Sequence, residues 1–151
     1  MKVVIASGYF DPLHVGHVEY LQLAKKQGDI LIVILNNDYQ CILKKGKPFM
    51  PAEERKIILE ALRCVDEVFD SIDNEKFIDE KGRKHIPVTN SIRVIAEKYS
   101  GCEIVFAKGG DRFSYEIPEA EVCRDYNIKI IDSLGKKIQS SSDLTGLKEV
   151  A

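Results

Sequence analysis

Two of the chain's three histidines, His14 and His17, stand three residues apart, between a β-branched run and an amphipathic stretch. At that spacing both imidazoles face one side of a first helical turn, beside backbone N–H groups with no partner inside the helix and beside the positive end of its dipole. Such a place attracts anions, and two ring donors strengthen it. Gly8 and Gly16 lack side chains, so a phosphate or a neighbouring backbone could approach closely. Helix capping, a metal pair and chance are rival readings, the metal pair needing a third ligand that no nearby Cys or His supplies. Ser140, Ser141 and Ser142, ahead of Asp143 and an apolar run, read as a second helix cap, and that helix N-terminus could also hold phosphate oxygens. Asp11 could orient a substrate or help to cap the first helix.

The elements that must position these residues are visible as apolar runs. Residues 2–6, 30–35, 65–69, 103–107 and 128–132 read as strands. Helical spacing follows the first strand through Val18, Leu21 and Ala24 to a stop at Gly28, opens again at Pro51 over 51–63, and recurs over 91–99. Asn36, Asn37 and Asp38 read as a turn after the second strand. This alternation predicts one α/β domain, a three-layer Rossmann-like doubly wound parallel five-stranded sheet. Ligands of such sheets bind beyond the carboxyl ends of the strands, here residues 7–11, 36–38, 108–112 and 133–137. The charged segment 71–87 fits no long apolar period and reads as an insertion at the sheet edge, a hairpin or a flap, with His85 a surface histidine.

Bulk properties narrow the classes. The 22 basic and 24 acidic residues leave a formal charge of −2, so no general field draws nucleic acid or an anionic membrane, and an anion must be held locally. The four cysteines lie 21 to 38 residues apart without a CxxC pair, which fits reduced thiols in a cytoplasmic protein. No 18-residue apolar run or signal-like segment is present, so no membrane association is expected. No GxGxxG follows the first strand, which argues against a dinucleotide-dependent dehydrogenase.

The run GYFDPLHVGHVEYLQLAKK at 8–26 resembles the signature of the nucleotidyltransferase superfamily built on an HxGH motif, which includes glycerol-3-phosphate cytidylyltransferase, the ADP-heptose adenylyltransferase and archaeal FAD synthetase. The resemblance continues through ILIVILNND, KKGKPFMPAEERKIILEALRCVDEVF, FAKGGDR and GKKIQSSSDL, about four-fifths of the chain, the main exception being 71–87. It implies transfer of a nucleoside monophosphate from ATP or CTP to the phosphate of a small metabolite, with Mg²⁺ accompanying the triphosphate and a homodimer as the expected assembly. A sugar or polyol phosphate is favoured, because LNND and KGGDR look more like the ADP-heptose enzymes.

By the same resemblance His14 and His17 would donate to triphosphate oxygens, Gly8, Tyr9 and Phe10 would offer backbone N–H groups to the α-phosphate, and one of Lys44, Lys45 and Lys47 would reach over the phosphates from the loop after the second strand. Arg55 would support the site. Gly109, Asp111 and Arg112 would line the base and ribose region, and Ser140, Ser141 and Ser142 would hold the outer phosphates. Several relatives carry Arg-Gly ahead of that serine turn, where this chain has Lys136-Lys137-Ile138-Gln139, and Lys137 would supply the charge. A nucleotide-binding sensor or subunit without transfer is the rival function.

Overall fold

The computed structural model describes residues 1–109, 117–134, 145 and 150. Its elements are β1 (Lys2–Gly8), α1 (Val15–Lys25), β2 (Ile30–Leu35), α2 (Asp38–Lys45), α3 (Ala52–Glu60), β3 (Glu67–Asp70), β4 (Phe77–Ile78), β5 (Lys84–His85), α4 (Thr89–Lys98), β6 (Glu103–Gly109), α5 (Ala120–Asp125) and β7 (Lys129–Leu134). The main sheet has five strands in the order β3-β2-β1-β6-β7, every neighbouring pair parallel. The fold expected from the sequence is therefore present, and strand ends differ from expectation by at most two residues.

The central strands are continuous apolar runs because both of their faces are covered. Val3, Ile5, Ile32, Ile34 and Phe106 pack with Ile92 and Ile95 of α4 and Val122 of α5. Val4, Ala6, Leu31, Val33 and Val105 face the opposite layer, against Leu21 and Ala24 of α1 and Leu59 of α3. Chain order reverses between β1 and β6, so the crevice at their carboxyl ends is where such a sheet admits a ligand.

Local structure departs from the sequence reading in four places. Asn37 and its neighbours do not form a turn but open α2: the Asn37 side chain accepts the Gln40 N–H at 2.8 Å, and Gln40 Oε1 accepts the Asn37 N–H at 3.1 Å. Lys44 and Lys45 consequently stand in the last turn of a helix rather than in a loop, where cations suit the dipole. The short helix was hidden because it buries Gln40, Cys41 and Lys45, which give no apolar period. Gly46, with φ 88°, ends it in a conformation that side chains disfavour. The short α5 was likewise unforeseen.

Residues 71–87 contain the β4–β5 hairpin, pairing Phe77 with His85 and Ile78 with Lys84. His85 is not a surface residue: it is 3% exposed, and its Nε2 lies 2.8 Å from Asp79 Oδ2. Asp79 also accepts the backbone N–H groups of Lys81 and Arg83 and the Arg83 guanidinium, so one carboxylate organises the hairpin turn. Its bond to His85, helped by Arg83, holds that carboxyl well below the usual carboxylate range. The third departure is therefore the burial of His85, and the fourth is that α3 stops at Glu60 and does not continue through 63.

Candidate active site

The first helix starts at the histidines and uses both as caps. His14 is the N-cap residue, with extended backbone, and its Nδ1 accepts the Gly16 N–H at 3.1 Å. His17 Nδ1 accepts the His14 N–H at 3.2 Å, which closes a reciprocal capping box in imidazoles. An Nδ1 that accepts places the ring proton on Nε2, so each neutral ring keeps a donor on its far edge. The rings stack with centroids 3.7 Å apart and 21° between planes. Capping and anion binding, opposed in the sequence, are thus compatible: one nitrogen serves the helix and the other is a donor. A metal pair is disfavoured because an Nε2 that carries a proton is no ligand.

His17 is neutral throughout the physiological range. Its pKa is pushed down to about 3, chiefly by burial and then by the neighbouring His14, Lys44 and Lys45. Phe10 supplies part of that burial, its ring meeting His17 edge-on with centroids 5.0 Å apart. Phe10 itself has φ 50° and is buried under the sheet exit. A side chain on Gly8 would place its Cβ 2.9 Å from the Phe10 ring, so Gly8 is small to admit that ring. Tyr20 Oη donates to the Ala107 carbonyl at 2.6 Å, fixing α1 across the β1–β6 crevice.

A buried polar network holds the loops in place. Asp11, fully buried, accepts the N–H groups of Phe49 and Met50 at 2.8 and 2.7 Å and pairs with Lys45 Nζ at 3.1 Å. Its expected roles, acceptor contact or cap of α1, give way to a structural one, because both oxygens are already engaged. Arg55, 1% exposed, donates to the carbonyls of Tyr9, Asn36 and Met50 and to Asp38. Arg55 therefore ties the exits of β1 and β2 to α3. Buried charges of this kind are tolerable only when so fully partnered.

The same network sorts the three lysines. Lys45 is committed to Asp11, Lys47 is exposed, and Lys44 Nζ sits 4.4 Å above the Tyr9 ring at the edge of a cleft. That cleft, about 380 Å³, lies beyond the carboxyl ends of β1, β2 and β6 and is bordered by Ser7, Gly8, Tyr9, Asn36, Lys108 and Gly109. Its far wall is the end of the insertion, Lys84 to Val88, together with Ile117, Pro118 and Glu119. Lys84 Nζ donates to the carbonyls of Leu43 and Lys44 at 3.1 Å each and to that of Val150, latching the hairpin onto the end of α2. Lys84, His85 and Glu119 escaped sequence reading because no local pattern marks residues that only the fold brings together.

Asp111, Arg112, Lys137, Ser140, Ser141 and Ser142 lie outside the described residues. Among the described residues no group of three or more His, Cys, Asp or Glu is placed to hold a metal ion, and no helix is long and apolar enough to cross a membrane.

Residues 5–132 match the family described as cytidylyltransferase-like. The bifunctional protein HldE of Cronobacter sakazakii is 37% identical over 152 residues, covering 93% of this chain and 28% of its own length. The FAD synthase of Ferroglobus placidus is 49% identical over 67 residues, 44% of this chain and 43% of its own. This chain thus spans little more than a quarter of the HldE relatives it matches along most of its length. In three dimensions it resembles the lipopolysaccharide core biosynthesis protein of Thermoplasma volcanium, with a TM-score of 0.62 at 24% identity over 89% of this chain and 98% of that one.

Proposed function

The chain belongs to the cytidylyltransferase-like family, and from that premise we propose that it transfers a nucleoside monophosphate from ATP or CTP to the phosphate of a small sugar or polyol phosphate, releasing pyrophosphate. The observation that carries the reading is the stacked histidine pair, each ring tied to the helix through Nδ1 with its proton on Nε2. Neutral donors held rigidly at a helix N-terminus suit a phosphate whose negative charge grows during reaction.

In this scheme the triphosphate lies over the N-terminus of α1, within reach of His14, His17 and Lys44. An oxygen of the acceptor phosphate attacks the α-phosphorus, and the bond from that phosphorus to the bridging oxygen breaks, its electron pair leaving with pyrophosphate. A phosphate dianion is already a competent nucleophile, so no general base or covalent intermediate is required. The protein's task is to bring two anions together and to stabilise the charge between them. His17, kept neutral by burial, donates without exchanging a proton. Asp11 and Arg55 hold the surrounding loops still. Magnesium, when bound with the triphosphate, would neutralise phosphate charge through phosphate oxygens and water. The acceptor preference is supported by the likeness of the KGGDR run to the ADP-heptose enzymes.

The test is pyrophosphate release with Mg²⁺ and each of ATP, CTP, GTP and UTP against sugar, polyol, amino-alcohol and flavin phosphates. Release that requires one triphosphate and one sugar or polyol phosphate is expected. A triphosphate that raises the melting temperature without any release would instead favour a binding module.

A further inference from the structure

The cleft contains a carboxylate that phosphate chemistry alone does not call for. Glu119 is 6% exposed and borders the cleft, and its Oε2 accepts the Val88 N–H at 3.1 Å. Among the described residues neither Glu119 nor Lys108 forms a salt bridge, although both border this cleft. A buried carboxylate without a cation is costly, and near an anion site it also repels the ligand unless the ligand brings it a donor. Lys44, Lys84 and Lys108 outnumber the one acidic residue of the cleft, so the lining is net cationic and would oppose an ammonium group.

We infer that Glu119 is a specificity-determining residue that accepts a hydrogen bond from a hydroxyl of the acceptor, so that the cleft selects phosphate esters carrying a hydroxyl on the carbon chain. The inference rests on the reading of this chain as a transferase acting on small phosphates. The phosphate end lies toward Lys44 and Lys108, and the hydroxylated end toward Glu119 beneath the hairpin. The Val88 bond fixes one carboxylate oxygen and leaves the other for the ligand.

Calorimetric binding of glycerol 3-phosphate, propyl phosphate and phosphoethanolamine to the wild type, Glu119→Gln and Glu119→Ala tests this without requiring turnover. Glutamine keeps an acceptor oxygen for Val88 N–H but turns an NH₂ toward the cleft, which can only donate to the hydroxyl oxygen and so replaces a charge-assisted bond by a weaker neutral one, while alanine removes the bond altogether. The wild type should bind glycerol 3-phosphate about 10- to 100-fold more tightly than propyl phosphate, the effect of one charge-assisted hydrogen bond. Glu119→Ala should lose that preference and Glu119→Gln should keep a smaller part of it, both retaining the affinity for propyl phosphate. Equal affinities in the wild type, a preference that persists in Glu119→Ala, tighter binding of phosphoethanolamine, or no binding of any of the three at millimolar concentration would each overturn the inference. Pyrophosphate release, measured separately, reports on the transfer reaction: its absence alongside the expected binding pattern would refute transfer and not the role of Glu119.

Discussion

Replacing His14 by asparagine and by alanine separates the two duties assigned to the ring. Both substitutions remove the stacked contact with His17, at 3.7 Å between centroids, worth about 0.5–1.5 kcal/mol by analogy with other aromatic pairs. Alanine also removes the acceptor for Gly16 N–H, a further loss of about 1 kcal/mol, whereas asparagine is among the best N-cap residues and retains it. His14→Ala should therefore lose about 1.5–2.5 kcal/mol in urea unfolding and His14→Asn about 1 kcal/mol. Turnover should separate from stability. Asparagine cannot place a donor where Nε2 stood, so pyrophosphate release should fall about 100- to 1,000-fold in both variants, the usual cost of one lost donor to a developing anion. A folded His14→Asn protein with near-normal turnover would refute the donor role, and equal stabilities of the two variants would refute the cap.

The lysines should divide in the opposite sense. Lys45→Met removes the partner of a fully buried Asp11 and should cost about 3 kcal/mol of stability, read as a lowered urea midpoint. Lys44→Met loses the contact above Tyr9, worth about 0.5–1 kcal/mol, and should cut turnover about 100-fold or more. His17 predicts a pH effect. With its pKa lowered from 6.5 to about 3, the unfolded chain binds a proton between those values that the folded chain does not, so stability is complete above pH 6.5 and declines as pH falls toward 3. His17→Gln, which can keep the capping box, should lose less stability than the wild type between pH 7 and pH 5, and identical losses in urea melts would refute the assignment.

The histidine motif and the sheet were legible for one reason: both are local. Strands buried on both faces must be continuous apolar runs, and a first helix that caps with histidines must carry them at its opening turn, so periodicity and spacing in the chain suffice to find them. The expectation for Lys44, Lys45 and Lys47 shows where local reading stops, since the three differ only in what the fold places beside them. Likewise Asp11 and Arg55 look like binding residues by type and position, yet the partners that bury them come from 5 to 46 residues away, which no local pattern shows.

By itself the sequence determined the layer architecture, the family and the helix terminus at which the two histidines stand, because each depends on neighbours along the chain. The tertiary structure alone decided which lysine faces the cleft, that His85 turns inward onto Asp79, that the insertion closes over the end of α2 through Lys84, and that Glu119 meets the cleft from the far side. Those outcomes depend on the mutual approach of segments distant in sequence, and burial and partner geometry are properties of that approach.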